Sequence, residues 1–363
     1  MFQPEFKITN NLLTYISRIE SSKTLIDHSP LVPAWEAKFR DEAFTRTVHY
    51  GTKIEGNDLT REQAQQVVRM ENIVDTNEIA QKTGIMARAR DIQEVLNYRN
   101  VISWIDKQRS GNLEKIFTVE TLKTIHKLTV SNLVEDGYSG VYRDKQVIVK
   151  SASSANVVYR PPVSMEIPYL IEDLFTWMNS SESQQIHPIF KAAIAHYQLV
   201  HIHPFIEGNG RTARAMASLV LYSLDYDFKK FFSIEQYFDS DVDAYYQALL
   251  SVQQSKNQDM TYWLEYFCYG LAIEIDKVRQ QVMRLSKDLK LKKQLGKQVA
   301  LSERQIILLE LFQNQESVTS DDMKMVLPNI SVDTILRDLK DLIDKKIIEK
   351  QGVTKGVNYK LVD

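Results

Sequence analysis

Glycine and proline are scarce in this chain, with 12 and 9 among its 363 residues. Both residue types mark turns and end helices, so a chain with few of them favours long helices over a many-turned sheet. The length predicts two or three domains. We therefore expect a mainly α-helical protein with more than one domain.

The pattern of helices and turns predicts an order of domains. Residues 1–110 form an N-terminal helical region, 111–275 a helical core, 276–300 a helical linker and 301–363 a separate domain. Thr60, with Gln63 three residues later, predicts a capping box, and Thr118 predicts another helix start. Two short segments rich in Val, Ile and Tyr predict a β-hairpin in the core, Tyr142–Lys150 and Asn156–Tyr159.

The last part of the chain has a different pattern. After predicted helices at Met260–Leu271 and Ala272–Gly296, with Gly296 as the domain boundary, three shorter helices are predicted. They are followed by two predicted strands joined around Gly352 and Gly356. Three helices and a hairpin predict a winged helix, in the segments Ser302–Phe312, Ser320–Val326, Ser331–Ile343, Lys346–Lys350 and Asn358–Val362.

Composition narrows the class of protein. The net charge is −2, which gives no strong overall attraction to nucleic acid. We find no signal peptide and no apolar run of about 18 residues, so no membrane segment is expected. The single cysteine, Cys268, is expected to be buried and cannot form an internal disulfide. We therefore expect a cytoplasmic protein.

The segment from His203 to Arg214 carries the strongest chemical signal. An apolar helix leads to His203, Pro204 ends it, and Gly208 and Gly210 allow close approach of the backbone to a ligand. A new helix then opens, and its free N–H groups predict an anion site suited to phosphates. Arg211 and Arg214 lie three residues apart on one helix face, where they can clamp a polyphosphate.

Two further residues complete this predicted site. Glu207 offers a carboxylate beside the phosphates, as Mg²⁺ requires, and His203 is a base that can take a proton from an incoming hydroxyl. Phe205 is expected to anchor the loop in the core. A P-loop is excluded because no Lys-Ser or Lys-Thr follows the glycines, and a dinucleotide fingerprint because the preceding element is helical.

The run from His203 to Arg214 meets every fixed position of the pattern HxFx(D/E)GNGRxxR, and the chain thereby resembles Fic-domain proteins. The resemblance covers roughly residues 31–271 and implies a Fic-type helical bundle with a β-hairpin flap, for which a C-terminal winged helix-turn-helix domain is a common companion. It implies transfer of AMP from ATP to a Tyr, Ser or Thr hydroxyl of a target protein that docks on the flap by strand pairing.

The resemblance also implies roles for individual residues. His203 would be the general base, Glu207 the Mg²⁺ ligand, Arg211 the contact to the bridging phosphates and Arg214 the contact to the γ-phosphate. The remaining phosphate contacts would come from Gly208, Asn209 and Gly210. Tyr246 is similar to an aromatic residue that lines the adenine pocket. Asp241 aligns where the family often has Asn, a departure at the nucleotide contact.

A second motif lies near the N-terminus. Glu55-Gly56-Asn57, within residues 51–57, resembles the inhibitory motif [ST]xxxE[GN], although its first position is Gly51 and Thr52 comes one place late. The resemblance implies that Glu55 pairs with Arg214 and displaces the γ-phosphate. In some relatives this glutamate instead positions water and removes AMP, so AMP removal is the alternative reaction.

The sequence also leaves the transferred group and the role of the tail open. UMP, phosphate or phosphocholine could be transferred in place of AMP. The Fic core could also sense ATP within a DNA-binding regulator, but residues 301–363 hold nine Lys and Arg against eleven Asp and Glu, which predicts weak DNA binding. In that tail Asp338, Asp341 and Asp344 would share or flank the DNA-facing surface. A homodimer is possible, and the sequence does not identify the target.

Overall fold

The computed structural model describes most of the chain, and the statements below refer to the described residues. These are residues 2–70, 76–108, 116–150, 157–294, 302–314, 318–328, 330–345, 347–351 and 358–362. They divide into two compact units, residues 1–284 and 285–363. The division falls within the predicted linker, and the predicted boundary at Gly296 lies outside the described residues.

The first unit is helical apart from one short hairpin, as the scarcity of glycine and proline predicts. Its helices are α1 Asn10–His28, α2 Pro33–Lys53, α3 Arg61–Arg69, α4 Thr76–Thr83, α5 Ala89–Gln108, α6 Val119–Val130, α7 Ile167–Met178, α8 Ser181–Gln184, α9 Pro188–Ile202, α10 Asn209–Ser223, α11 Ile234–Ser240 and α12 Val242–Gln254. The last helix, α13 Thr261–Gln294, belongs to this unit up to residue 284. Short 3₁₀ turns occupy Asp136–Tyr138, Ser164–Glu166, Phe228–Lys230 and Lys256–Gln258.

The predicted helix starts are confirmed where the side chains cap them. Thr60 accepts from the backbone N–H of Gln63 at 3.2 Å, and Gln63 accepts from the backbone N–H of Thr60 at 2.9 Å, which is a complete capping box at α3. Thr118 caps α6 by accepting from Thr121 at 3.1 Å. Each cap satisfies a backbone N–H that the helix itself leaves free.

Pro33 and the residues after it predict a helix over Ala34–Val48, and the observed helix α2 is longer. The sequence pattern predicts a turn from Gly51, but the helix continues to Lys53. Gly51 lies inside it because a Cβ atom there would lie 2.3 Å from Cε1 of Tyr98 on α5. The glycine therefore permits close packing of α2 against α5 and does not end the helix.

Helices α9 and α10 form the centre of the first unit. They pack on one another, and α10 also contacts α5 and α6. Nearly every residue of α9 is buried, including His196, whose ring stacks on Trp263 at 5.1 Å. Trp263 in turn donates to the Ala193 carbonyl at 2.8 Å. This packing fixes the two helix ends between which the loop 203–208 runs.

A two-stranded antiparallel hairpin corresponds to the predicted flap. Its strands are β1 Val149–Lys150 and β2 Val157–Tyr159, with Val149 opposite Tyr159. The first strand is shorter than the predicted Tyr142–Lys150 because its earlier residues would have to pair beyond Tyr159, where Pro161 and Pro162 have no N–H groups to extend the ladder. The connecting residues 151–156 lie outside the described residues.

The predicted helices Met260–Leu271 and Ala272–Gly296 are a single helix, α13. Gly270 lies inside this helix, where a Cβ atom would be 2.2 Å from Cδ1 of Tyr237, so it permits close packing and does not end the helix. Cys268 on this helix is buried, as predicted. No helix of the described chain has the length and apolar character that crossing a membrane requires.

The second unit has three helices and an antiparallel pair in the predicted order. These elements are α14 Glu303–Asn314, α15 Ser320–Val326, α16 Val332–Asp344, β3 Ile348–Gln351 and β4 Asn358–Leu361. Their core includes Leu308, Phe312, Leu339, Leu342 and Tyr359. Ile348 lies opposite Leu361 in the strand pair. The glycines predicted to join the strands lie outside the described residues, and the winged-helix assignment stays a prediction.

Two of the acidic residues expected at a DNA-facing surface are used within this unit. Asp338 is 9% exposed and accepts from Arg304 Nε at 2.8 Å. Asp341 accepts from the Gln305 side-chain amide at 2.6 Å and also from Lys345. Because α14 supplies Arg304 and Gln305, both carboxylates hold α16 against α14. The expected place at an outer surface is wrong for the buried Asp338, whereas 46% of the Asp341 side chain is exposed and its place at such a surface stays a prediction.

Two histidines on α9 predict how stability depends on pH. Burial lowers the pKa of His196 to about 3 and that of His201 to about 4. Below about pH 6.5 the unfolded chain binds protons that the folded chain does not, so stability that is full above this pH is lost as the pH falls towards 4. We expect the free energy of unfolding to drop by about 3 kcal/mol per pH unit from these two groups together.

Urea unfolding of the parent and of His201→Gln between pH 7 and pH 4.5 measures this slope. The variant should lose the contribution of one histidine, about 1.4 kcal/mol per pH unit, whereas His28→Gln, at an exposed position, should keep the full slope of the parent. Identical slopes in the parent and His201→Gln would contradict the assignment of a neutral, buried His201.

Candidate active site

The loop between α9 and α10 is held open by unusual backbone conformations at both ends. His203 ends α9 with φ 51°, and Gly208 precedes α10 with φ 75°. A Cβ atom at Gly208 would lie 2.7 Å from Cγ1 of Val130, so a side chain would be excluded there for packing as well as for conformation. The first N–H groups of α10 have no helical partners and point into the loop.

Asn209 closes this loop on itself. Its Oδ1 accepts from the backbone N–H of Phe205 and its Nδ2 donates to the Phe205 carbonyl, each at 2.9 Å. Phe205 is fully buried, as predicted. Because the Asn209 amide is engaged in this way, a phosphate contact of Asn209 would have to come from its backbone N–H.

His126 contacts the loop 203–208 and holds it in place, a role that sequence reasoning missed. Its ring stacks on Phe205 with centroids 3.6 Å apart. Nδ1 accepts from the backbone N–H of Gly140 at 2.9 Å, so Nε2 carries the proton and donates to the Glu207 carbonyl at 3.0 Å. Burial lowers the pKa of His126 to about 4. A neutral imidazole of fixed tautomer thus orients Glu207, and nothing in the local sequence pattern signals it.

Arg143 is a second support that the sequence did not reveal. This residue is 2% exposed, and its guanidinium donates to the carbonyls of His203 at 2.8 Å and Pro162 at 2.6 Å. Its backbone N–H donates to the Pro204 carbonyl at 2.9 Å. The base of the flap and the loop of the site are therefore joined by one side chain.

The geometry prepares His203 to act as a base. Its Nδ1 lies 3.2 Å from the Val200 carbonyl, which can only accept, so Nδ1 carries the proton and Nε2 keeps a lone pair. Burial is the main cause that lowers the pKa of His203, while this hydrogen bond and the charge of Glu55 oppose the shift. His203 is therefore neutral at pH 7.

Glu55 and Arg214 form the central ion pair of the site. Arg214 is buried, with 1% of its side chain exposed, and its Nη2 donates to Glu55 Oε1 at 2.7 Å and to the Gly51 carbonyl at 2.8 Å. Burial alone would raise the pKa of Glu55, but the charges of Arg214 and Arg211 outweigh it and the net shift is downward. Glu55 is thus ionised, and 28% of its side chain is exposed to solvent.

The carboxylate of Glu55 lies over the start of α10. A Cβ atom at Gly210 would be only 2.2 Å from Glu55 Oε1. Glu55 therefore occupies the space directly above the helix N-terminus, where an anion is favoured by the free N–H groups and the helix dipole. The lack of a side chain at Gly210 is what permits this approach.

The departures from the inhibitory motif have structural reasons. Gly51, where the pattern has Ser or Thr, offers its carbonyl to Arg214 and packs against Tyr98. The hydroxyl of Thr52 donates back to the carbonyls of Val48 and His49 inside α2. The motif residue Asn57 is buried and donates to Glu94 Oε2 at 2.9 Å on α5.

A second group of charges surrounds Glu207. Arg211 Nη2 lies 3.4 Å from Glu207 Oε1, and Arg211 Nη1 lies 3.5 Å from Glu94 Oε1. Arg90 on α5 pairs with Glu207 Oε1 as well, and its Nε lies 3.3 Å from Glu94 Oε1. Sequence reasoning found Glu207 and Arg211 but missed Arg90 and Glu94, which belong to a distant helix.

The two predicted adenine-side residues differ in their surroundings. The ring of Tyr246 packs on that of Tyr245 at 5.2 Å, and burial first, then the charge of Glu55, raises the pKa of Tyr246. Tyr246 thus lies within electrostatic reach of the ion pair. Asp241 is exposed and caps α12 by accepting from Ala244 at 2.9 Å. Its role in nucleotide binding stays a prediction.

Known proteins resemble this chain in both sequence and fold. Residues 116–221 match the model of the Fic/DOC family, so the chain carries a Fic domain, as its motif predicted. Protein adenylyltransferase Fic of Drosophila grimshawi is 29% identical over 187 residues, which are 52% of this chain and 35% of that protein. The protein of the same name from Drosophila willistoni is also 29% identical and is covered over 34% of its length. The match thus spans about a third of these curated relatives.

Solved structures share the fold. A Fic family protein from Desulfovibrio desulfuricans G20 aligns over 99% of this chain and 98% of its own, with a TM-score of 0.65 and 21% identity. A Fic domain containing signaling protein from Bacteroides thetaiotaomicron VPI-5482 aligns over 77% of this chain and 97% of its own, with a TM-score of 0.58 and 20% identity. The predicted Fic-type helical fold with a hairpin is confirmed.

The closeness of Glu55 to Gly210 yields a test by coupled substitution. Gly210→Ala places a methyl group where Glu55 Oε1 now lies, so we expect it to destabilise the parent protein by about 1–3 kcal/mol. In a Glu55→Gly background the same change should cost less than about 1 kcal/mol, because alanine favours helix over glycine and the close contact that remains is Arg214 Nη1 at 3.2 Å.

Urea unfolding of the four proteins in this cycle measures the coupling. Gly137→Ala serves as the control, since a Cβ atom there meets no atom within 4 Å. Equal costs of Gly210→Ala in both backgrounds would show that Glu55 does not lie over α10.

Proposed function

We propose that this chain is a protein adenylyltransferase that moves AMP from ATP to a Tyr, Ser or Thr hydroxyl of a target protein and is held inactive by Glu55. The observation that carries the proposal is the convergence of His203, Arg211 and Arg214 on the N-terminus of α10. A base, an anion site and two guanidinium groups are the parts that a phosphoryl-type transfer needs.

The first step of the proposal is nucleotide binding. The free N–H groups at the start of α10 would contact phosphate oxygens of ATP. Nε of Arg211 and Nε of Arg214 are buried and have no hydrogen-bond acceptor within the described residues, and Nη1 of Arg211 has only the ion-pair contact with Glu94 at 3.5 Å. Donors left in this state favour an anionic ligand that brings its own acceptors.

Mg²⁺ fits the residues present. The described residues contain no group of three or more His, Cys, Asp and Glu side chains placed to hold a metal, so Glu207 would bind Mg²⁺ together with phosphate oxygens, as this ion commonly does. The pairing of Arg90 with Glu207 supports this, because the carboxylate already has a cation beside it. When bound, Mg²⁺ would offset the negative charge that builds up on the phosphates.

The chemical step would use His203. Nε2 would take the proton of the target hydroxyl while that oxygen bonds to the α-phosphorus, and the bond from this phosphorus to the bridging oxygen would break. Pyrophosphate would leave and AMP would remain on the target. The hydrogen bonds of Nδ1 to Val200 and of the His203 carbonyl to Arg143 would keep the imidazole in place during proton transfer.

The inhibition would arise from competition for Arg214. While Glu55 pairs with Arg214, the γ-phosphate has no partner there and its place over Gly210 is filled. The described part of the flap, where β2 ends beside the loop through Arg143 and Pro162, is the surface on which the target segment would dock.

AMP removal is the second candidate reaction. Glu55 lies near enough to His203 for its charge to raise the pKa of that imidazole. A carboxylate in this position could orient a water molecule for attack on an AMP-modified side chain. Loss of Glu55 would then abolish the reaction, whereas it would activate AMP transfer.

Self-labelling with α-labelled ATP and Mg²⁺ tests the proposal. We expect Glu55→Gly to incorporate label, the parent to incorporate at least about tenfold less, and Glu55→Gly/His203→Ala to fall about 100-fold or more below Glu55→Gly, because the base is absent. Glu62→Gln, at an exposed acidic residue of α3, should behave like the parent.

The assay is repeated with cell lysate, so that a target other than the chain itself can be labelled. Label on the parent equal to that on Glu55→Gly would contradict inhibition. No label with any variant, together with release of AMP from modified protein by the parent alone, would favour AMP removal.

The pH dependence of Glu55→Gly follows from the neutral His203. Its pKa is already below the ordinary value of about 6.5, and loss of the Glu55 charge removes a contribution that raised it. We expect the labelling rate at saturating ATP to stay level from about pH 8 to about pH 6.5 and to fall only at lower pH. Initial rates across this range check it, and a decline centred at pH 7 or above would contradict it.

A further inference from the structure

Arg90 has no place in the proposed reaction, yet it contacts the carboxylate assigned to Mg²⁺. It pairs with Glu207 Oε1, the same oxygen that Arg211 approaches at 3.4 Å. The Arg90 side chain is 47% exposed, whereas that of Arg211 is 4% exposed. Of the two cations beside Glu207, Arg90 is the one with room to move.

The backbone of Arg90 is held close to the inhibitory motif. Asn57 donates to the Asp91 carbonyl at 3.0 Å and to Glu94 at 2.9 Å. Arg88 bonds both Asp58, which follows the motif, at 3.0 Å and Asp91 at 2.8 Å. These hydrogen bonds hold the start of α5 against the segment that carries Glu55. The backbone of Arg90 is therefore fixed, and its side chain reaches Glu207 from there.

A metal ion and Arg90 would compete for Glu207 Oε1. A metal ion bound at Glu207 Oε1 would lie next to the Arg90 guanidinium, and two like charges at such a distance repel. A long, half-exposed arginine can swing into solvent at small cost, whereas the buried Arg211 is held in place by Glu94. Metal binding at Oε1 therefore requires Arg90 to leave, and binding of a metal ion to this carboxylate is weakened while Arg90 stays beside it.

We propose that Arg90 is the counter-ion of Glu207 in the nucleotide-free protein and that it lowers the affinity of this carboxylate for divalent metal. The inference rests on the proposed function for the identity of the metal site. It adds a residue that sets the metal concentration at which the site fills. Because the ion pair is partly exposed, we expect a change of about two- to fivefold in metal affinity when its charge is removed.

Mn²⁺ binding to the full chain tests the inference without reference to activity. Electron paramagnetic resonance reports free Mn²⁺ during a titration, first without nucleotide and then with ADP. The variant Arg90→Gln should bind Mn²⁺ about two- to fivefold more tightly than the parent, and Arg90→Lys should lie between them. Arg69→Gln, which removes the same charge from an exposed pair with Asp41, is the matched control and should equal the parent.

A Glu207→Gln background identifies the carboxylate. In that background Arg90→Gln should no longer tighten Mn²⁺ binding, because the oxygen for which Mn²⁺ and Arg90 compete is no longer charged. Equal Mn²⁺ affinities of the parent and Arg90→Gln, including no measurable binding by either, would overturn the inference, as would a gain that persists in Glu207→Gln.

The titration and the labelling assay fail independently. If Glu55→Gly transfers no AMP but Arg90→Gln still tightens Mn²⁺ binding, the proposed function fails and the role of Arg90 stands. If Glu55→Gly is active and the Mn²⁺ affinities are equal, the reverse holds.

Discussion

The arrangement of this protein depends on the buried guanidinium of Arg214. Only 1% of the Arg214 side chain is exposed, so almost no water solvates its charge, and it needs an ionised partner. Replacing such a pair with apolar residues is often neutral for stability, but removing one partner is costly. The main consequence of the buried Arg214 is therefore that an anion must lie beside it. In the ligand-free chain that anion is the carboxylate of Glu55.

The other parts of the site determine where Arg214 and the neighbouring loop lie. Arg214 lies on α10, whose start is set by Gly208, and the loop before it is closed by Asn209. A neutral His126 donates to the backbone carbonyl of Glu207, and Arg143 joins the loop to the base of the flap. Each of these supports is buried and each uses a backbone carbonyl or N–H group. The loop is thus held through main-chain groups, and the side chains of His203, Glu207 and Arg211 are not needed for that purpose and are the ones proposed to contact the ligand.

The sequence predicted the parts of the site that are contiguous. The run from His203 to Arg214 encodes its own geometry, because a helix end, two glycines and a helix start must produce a loop with open N–H groups. The Glu55-Gly56-Asn57 motif indicated the Glu55 partner of Arg214 by resemblance, although Gly51 breaks the pattern. That departure becomes clear only in three dimensions, since it depends on the ring of Tyr98 from α5.

The residues that the sequence did not reveal come from other helices. Arg90 lies 117 residues before Glu207 and Glu94 lies on the same helix. A charged pair in an amphipathic helix is ordinarily part of the solvent-exposed face. His126 and Arg143 gave no signal, because the roles of both depend on carbonyl groups whose direction no sequence pattern states. The single long α13 was missed for a related reason: the pattern of apolar residues changes along it, although no residue interrupts the backbone.

The two ion pairs of the site supply opposite charges in place of the two proposed ligands. Glu55 puts a carboxylate over the anion site, where a phosphate would bind, and Arg90 puts a guanidinium on Glu207, where a metal would bind. With both in place, each charge of the nucleotide-free site has a partner, so the site can fold without ATP or Mg²⁺. Asn57 and Glu94 join the two pairs through α5. A nucleotide that arrives with its metal carries both replacement charges at once, whereas either ligand alone would displace one pair and leave the other intact.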